Sequence, residues 1–238
     1  MNKLMKKAMA FGLITIVFAG CSSADAENST TDNDSATESA ADETTDIESP
    51  APETQEYSTE LTPGNYTGGI DIPVGSYDLT LISGSGNIFC DSDAPINEIF
   101  GTDKDFNEIK SFNGVGVDQG DVLRTDGNLK IKAVSKKAQV KEMKPRKEDK
   151  SKAVTLSSGN YTAGDDFPAG TYIITATEGN GNVISTDKNN SDNDINLIMS
   201  PTPDSDMEET DTFNNATFDK GTTLELSSVT IQMIPVSD

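Results

Sequence analysis

Wherever apolar side chains cluster in this chain, they recur at every second position. Tyr77, Leu79 and Leu81 alternate with Asp78 and Thr80, and Leu129, Ile131 and Ala133 alternate with Lys130 and Lys132. Tyr172, Ile174 and Ala176, and then Val229, Ile231 and Met233, repeat the pattern. A period of two gives a strand one buried and one wet face. Turn signals lie between the runs. Ile72-Pro73-Val74-Gly75 and Phe167-Pro168-Ala169-Gly170 carry Pro second and Gly fourth, as a type I turn prefers. Gly84-Ser85-Gly86-Asn87 and Gly179-Asn180-Gly181-Asn182 supply residues that tolerate positive φ. With no convincing helical stretch, the pattern predicts an all-β protein built as small antiparallel β-sandwich or jelly-roll-like units.

There are two such units. Residues 64–87 align without a gap to residues 159–182, with 13 identities in 24 positions. The match resumes at Ser111-Phe112-Asn113 with Thr212-Phe213-Asn214, at Asp118-Gln119-Gly120 with Asp219-Lys220-Gly221, and at Leu129–Lys132 with Val229–Gln232. A duplication is the reading, with tandem β domains at 61–135 and 153–238. The shared pattern Tyr-Thr-x-Gly-x-Asp-x-Pro-x-Gly-x-Tyr, at Tyr66–Tyr77 and Tyr161–Tyr172, resembles an uncharacterised module of secreted proteins and lipoproteins of Gram-positive bacteria. That resemblance implies a β fold and an exported location, and it carries over no functional residue.

The N-terminus has a different pattern. Lys3, Lys6 and Lys7 precede an apolar run, Ala8–Ala19, which ends just before Cys21. This is the layout of a secretory signal at 1–20, too short for a comfortable membrane span. Phe18-Ala19-Gly20-Cys21 resembles the lipobox of bacterial lipoproteins, departing from it at Phe18, where Leu is commoner. The resemblance implies that Cys21 is lipidated after cleavage, with two acyl chains as a stable anchor on the extracellular face of the cell membrane. Residues 22–60 then carry 12 acidic residues and no basic one. Such a segment is expected to be a disordered tether, spanning on the order of 130 Å if fully extended.

Composition narrows the chemistry. The chain has 238 residues, a formal charge of −22, no His and no Trp. Acidity on that scale argues against nucleic acid as a partner. Without His, imidazole acid–base chemistry, Ser-His or Cys-His nucleophile pairs and His-ligated metals are excluded. Two Cys cannot form a thiolate zinc cage, and once Cys21 is acylated Cys90 is left alone, read as a small buried hydrophobe. One segment runs against the acidic trend: residues 136–152 hold eight basic and three acidic residues. The plain reading is a soluble basic linker. The sharper one is a contact for an anionic surface polymer or for the chain's own acidic tether.

Three constellations are candidates for a site. Asp187, Asn189, Asp192 and Asp194 form an oxygen-rich loop that is a weak calcium candidate. It departs from the helix-loop-helix pattern at Asp192, where Gly belongs, and at Ile198, where a bidentate Glu belongs. Asp71 and Asp166 are equivalent carboxylates, the one pairing that glycosidase-type chemistry could use, but Asp beside a turn is common for local hydrogen bonding. Tyr66, Tyr77, Tyr161 and Tyr172 could form an aromatic surface, though strand periodicity favours core packing. No catalytic residue, cofactor or metal is assigned. The expectation is a monomeric, non-catalytic, lipid-anchored surface protein that presents two β domains as a binding or envelope-associated module. Its partners are the membrane, through Cys21, and a cell-wall or surface polymer. The alternative is an enzyme or transport-type lipoprotein using carboxylates on a wall polymer. That reading needs a cleft of about 300 Å³ or more, for which units of this size leave little room.

Overall fold

The computed structural model describes residues 51–237, and within them the protein is all-β. The first repeat contributes β1 (Gln55–Leu61), β2 (Gly64–Thr67), β3 (Gly75–Ser83), β4 (Gly86–Cys90), β5 (Ile96–Phe100), β6 (Ser111–Val117), β7 (Val122–Thr125) and β8 (Lys130–Ala138). A short strand, β9 (Lys147–Glu148), follows. The second repeat contributes β10 (Val154–Leu156), β11 (Gly159–Thr162), β12 (Gly170–Thr186), β13 (Asn196–Met199), β14 (Thr212–Phe218) and β15 (Thr223–Ser237). Strand β12 does the work of β3 and β4 together, and β15 that of β7 and β8. The long strands bend at register shifts near Ala176–Glu178 and Gly179–Asn182, where the first repeat breaks its chain instead. Gly84 and Gly179 take φ of +81° and +77° at this corner, the left-handed conformation for which their sequence position calls.

One sheet runs β1-β8-β3-β6. A larger one follows β10-β15-β12-β14-β2-β7-β4-β5 and so passes from the second repeat into the first. Among the described residues two apolar cores form. One gathers side chains from Leu61 to Ala133, including Tyr77, Leu79, Ile88, Leu123 and Ile131. The other gathers side chains from Leu156 to Met233, including Tyr172, Ile174, Phe213, Phe218 and Ile231. The alternating residues of the sequence are the inward-facing ones, as the period requires.

Three expectations are corrected. The tether does not extend to residue 60: Gln55–Leu61 pairs antiparallel with β8, because Tyr57, Thr59 and Leu61 alternate inward while Glu56, Ser58 and Glu60 stay wet. Its charge suits the partner, since Glu60 pairs with Lys130 and Glu53 with Lys141. Nor is 136–152 a free linker. Its backbone is pinned by Lys144 N–H donating to the Gly69 carbonyl and Asp149 N–H to the Pro235 carbonyl. Arg146 forms an ion pair with Asp71 of the first repeat, with both side chains largely buried. Finally, the tight turn falls at Thr67–Ile72, closed by Asp71 N–H donating to the Thr67 carbonyl and Gly69 N–H to that of Ile72. Pro73 and Val74 form only the bend that leads into β3.

The repeats meet along a narrow seam. A single parallel bridge joins Gly64 of β2 to Asn214 of β14, and Asn214 N–H donates to the Pro63 carbonyl at 2.9 Å. The seam exists because β14 carries a bulge. Opposite β12 its register slips between Phe213 and Ala216, and Asn215 takes φ +56°. The same bulge in β6 puts Gly114 at φ +78°. Gly and Asn are the residues that enter this region most readily. Only Asn brings a side chain, which donates across the seam to the Asn65 carbonyl.

Candidate functional site

Strands β2, β7 and β4 lie side by side, and the register sets Asn65 opposite Arg124 and Arg124 opposite Phe89. The next row pairs Thr67 with Val122. Because side chains alternate, Ile88 and Leu123 enter the core, while Asn65, Arg124 and Phe89 share the opposite face. Phe89 and Val122 are 46% and 43% exposed, unusual for large apolar groups on adjoining strands. The second repeat closes over this face with Asn215 and Thr217 of β14 and the turn Ser191–Asn193. A cleft of about 450 Å³ lies between them, within the range of small-molecule sites. Neither repeat encloses it alone. The expectation of too little room for a pocket is therefore corrected.

The cleft floor is polar. Asn65 Nδ2 donates to the Asn215 carbonyl at 3.3 Å, and Asn215 Nδ2 returns a bond to the Asn65 carbonyl at 2.9 Å. Asn65 is only 9% exposed, yet its Oδ1 is buried without a hydrogen-bond partner, a state that costs roughly 1–3 kcal/mol. Arg124 reaches across the seam, its two terminal nitrogens donating to the Asp192 carbonyl at 3.0 Å and the Asp194 carbonyl at 2.6 Å. Burial lowers its pKa, against the opposing pull of Asp126, Asp194 and Asp192, and a guanidinium stays charged regardless. Asp91 and Asp192 also line the cleft, as does Arg146, whose charge is paired with Asp71. The arrangement can hold a ligand that lays an apolar face against Phe89 and Val122.

The residues singled out from sequence fall elsewhere or into structural roles. Cys21 lies outside the described residues. Asp187 Oδ1 accepts from the N–H groups of Asn189 and Asn190, and its Oδ2 from the Thr222 hydroxyl. Asp194 Oδ1 accepts from Asp187 N–H. Asp192 offers its main chain to Arg124. These bonds fold the loop upon itself, and among the described residues no three acidic or thiol groups converge to hold a metal ion. Asp71 and Asp166 each accept the backbone N–H of the threonine four residues earlier, Thr67 and Thr162. Tyr77 and Tyr172 are core residues, while Tyr66 and Tyr161 pack beside the cores. All four hydroxyls donate to a carbonyl four residues upstream, at Pro73, Pro168, Thr62 and Ser157. Cys90 is fully buried, and burial pushes its thiol up to about 11. Its equivalent, Ser185, is buried too and accepts from Ile195 N–H.

What sequence reading missed was the row Asn65, Arg124, Phe89. In the second repeat the corresponding partners across β11, β15 and β12 are Asn160, Glu225 and Ile184. Duplicated positions that keep their fold roles but change chemistry mark a surface that only one repeat has specialised. That comparison was open to the sequence. The seam that places Asn215 over Asn65 was not.

No family model matches the chain, and no curated protein matches it. Among solved structures it is similar to a cupin 2 conserved barrel domain protein from Leptotrichia buccalis. That similarity is 12% identity over 78% of this chain and 80% of the other, with a TM-score of 0.21. So loose a superposition leaves the architecture to rest on the strands themselves.

Proposed function

We propose that this is a lipid-anchored protein of the extracellular face of a bacterial cell membrane, a monomeric binding module for a cell-wall or surface polymer, without catalytic activity. Cys21 carries the lipid, residues beyond it hold the β body off the membrane, and two tandem β domains derived from one module form that body. The observation that supports the binding reading is the cleft between the repeats, with exposed Phe89 and Val122 on its wall. Turnover by carboxylates has less support, because Asp71 and Asp166 are each engaged with their own loop.

Two measurements test this. Cys21→Ala is expected to move the protein from the membrane fraction to the medium; full membrane retention overturns the anchor. The full chain is expected to sediment with purified Gram-positive cell walls in a saturable manner. Failure to sediment, or release of wall fragments over hours, overturns non-catalytic wall binding.

A further inference from the structure

The seam between the repeats is not symmetric. The second repeat contributes the edge of β14, and the first contributes the chain around the start of β2. Asn214 makes most of the contact. Its N–H donates to the Pro63 carbonyl, and its Nδ2 lies 3.0, 3.1 and 3.4 Å from the Thr62 hydroxyl, the Pro63 carbonyl and the Tyr66 hydroxyl. Asn65 Nδ2 adds its bond to the Asn215 carbonyl. Because the chain is a duplication, each half of this contact exists a second time. Strand β6, the last of its sheet, carries Asn113 and Gly114, and the chain entering β11 carries Ser157, Ser158, Gly159 and Asn160. Pro63, Gly64, Asn65 and Asn215 are buried in the seam, whereas Asn113, Gly114, Ser157, Ser158 and Asn160 are exposed.

We infer that the β6 edge of one chain docks on the β11 edge of a second copy, head to tail, and so repeats the seam between chains. The groups it needs are kept. Asn113 offers the same N–H and amide to the Ser158 carbonyl and the Ser157 and Tyr161 hydroxyls, and Asn160 offers its amide to the Gly114 carbonyl. The bulge is kept too, with φ +78° at Gly114 and +56° at Asn215. Within the seam Gly64 has to be glycine, since a Cβ there would lie 2.7 Å from Asn214 Cβ. Gly159 keeps that clearance although the nearest atoms to a Cβ there belong to the ring of Tyr161, at 3.2 Å. Two features are missing. Gly114 has no amide to match that of Asn215, and Glu225 stands where Arg124 donates to carbonyls of the other repeat. The contact between copies is therefore weaker than the seam, and the chain is a monomer at dilution. Its setting is the membrane surface, where the lipid anchor proposed above raises the effective concentration of one copy beside another. Such pairing is heterologous, so successive copies close into a ring or extend as a row.

The test is sedimentation equilibrium of the full mature chain, in density-matched detergent held in excess, from micromolar to millimolar protein. Wild type is expected to pass from monomer to species larger than a dimer. Asn113→Arg blocks one edge and Gly159→Arg the other. Each variant alone is expected to stay monomeric, while their equal mixture forms a dimer and stops there. Gly114→Asn restores the missing amide in a conformation that Asn adopts readily, and it should tighten association of the otherwise wild-type chain. An unchanged melting temperature verifies that each variant folds, and Asn160→Arg, at an exposed position, replaces Gly159→Arg where it does not. A wild type that stays monomeric throughout overturns the inference, as does a single blocked variant that dimerises or a mixture that stays monomeric. Association that Gly114→Asn leaves unchanged also overturns it. The anchor is read separately, by fractionation of Cys21→Ala: full membrane retention removes the anchored setting, while sedimentation still decides the contact between copies.

Discussion

At the residue scale, the four repeated tyrosines explain why the duplicated pattern keeps Tyr and not Phe. Each hydroxyl spans back to a carbonyl four residues earlier and ties the entry of a strand to the turn before it, in the manner of a tyrosine corner. Pro73 is buried and Ser157 exposed, so the two carbonyls differ in what they lose. Tyr77→Phe is expected to cost about 1–2 kcal/mol in urea denaturation, because the Pro73 carbonyl stays buried without a donor. Tyr161→Phe should cost well under half as much, since water replaces the hydroxyl at Ser157. A second residue-scale expectation concerns Asp187. The Asn189 N–H, helped by the Thr222 hydroxyl and the Asn190 N–H and opposed by desolvation, holds its carboxyl below the usual range. A depressed pKa means that the loop's contribution is complete above the unfolded value of about 3.9 and is lost as pH falls through the folded value. The melting temperatures of wild type and Asp187→Asn should therefore differ most at neutral pH and converge as the pH drops below about 4. A gap that does not narrow on acidification would contradict this.

At the element scale, the bulge in β6 and β14 is the decisive local irregularity. It is one device used twice, and the identity of its left-handed residue sets its consequence. Asn215→Gly keeps the backbone conformation and removes the amide over Asn65, so a loss of about 1 kcal/mol is expected. Asn215→Ala loses the same bond and adds roughly 1–2 kcal/mol for a Cβ in the left-handed region. Urea melts of the pair separate seam from strain. Equal values for both variants would mean that the conformation costs nothing here. The strands themselves were legible because Tyr77-x-Leu79 and Val229-x-Ile231-x-Met233 write the burial period directly into the sequence. The bulge was not legible. Ser111-Phe112-Asn113 and Thr212-Phe213-Asn214 showed only that the repeats match there, and a bulge is defined by the register of a partner strand distant in sequence. For the same reason Asn65 looked like a repeat of Asn160. The difference between a buried floor and an exposed strand position came from a contact 150 residues distant.

At the scale of the whole molecule, the described residues 51–237 hold two cores, joined by the β2–β14 bridge, the Asn65–Asn215 bonds and the reach of Arg124 to the Asp192 and Asp194 carbonyls. The segment 136–152 supplies part of that joint. Its exposed ion pairs, Lys141 with Glu53 and Lys152 with Asp149, are of the kind that contributes little and that salt screens. Arg146 with Asp71 is different, with side chains 14% and 8% exposed. Removing one member of a nearly buried pair strands the other charge, whereas removing both restores neutrality. Asp71→Asn keeps an oxygen for the Thr67 N–H and removes only the charge. It is expected to destabilise by about 3 kcal/mol, nearly independently of salt between 0.05 and 0.5 M. Arg146→Met should destabilise as well, and the double variant should recover most of the loss made by Asp71→Asn alone. A double-mutant cycle in urea at both salt concentrations makes the comparison. Additive effects would show that the two side chains act separately and that the basic segment lies on the first repeat without holding it. Strong coupling would show that this positive stretch of a −22 chain is fastened to the first repeat through a neutralised, buried contact, and that surface charge attraction accounts for little of its placement.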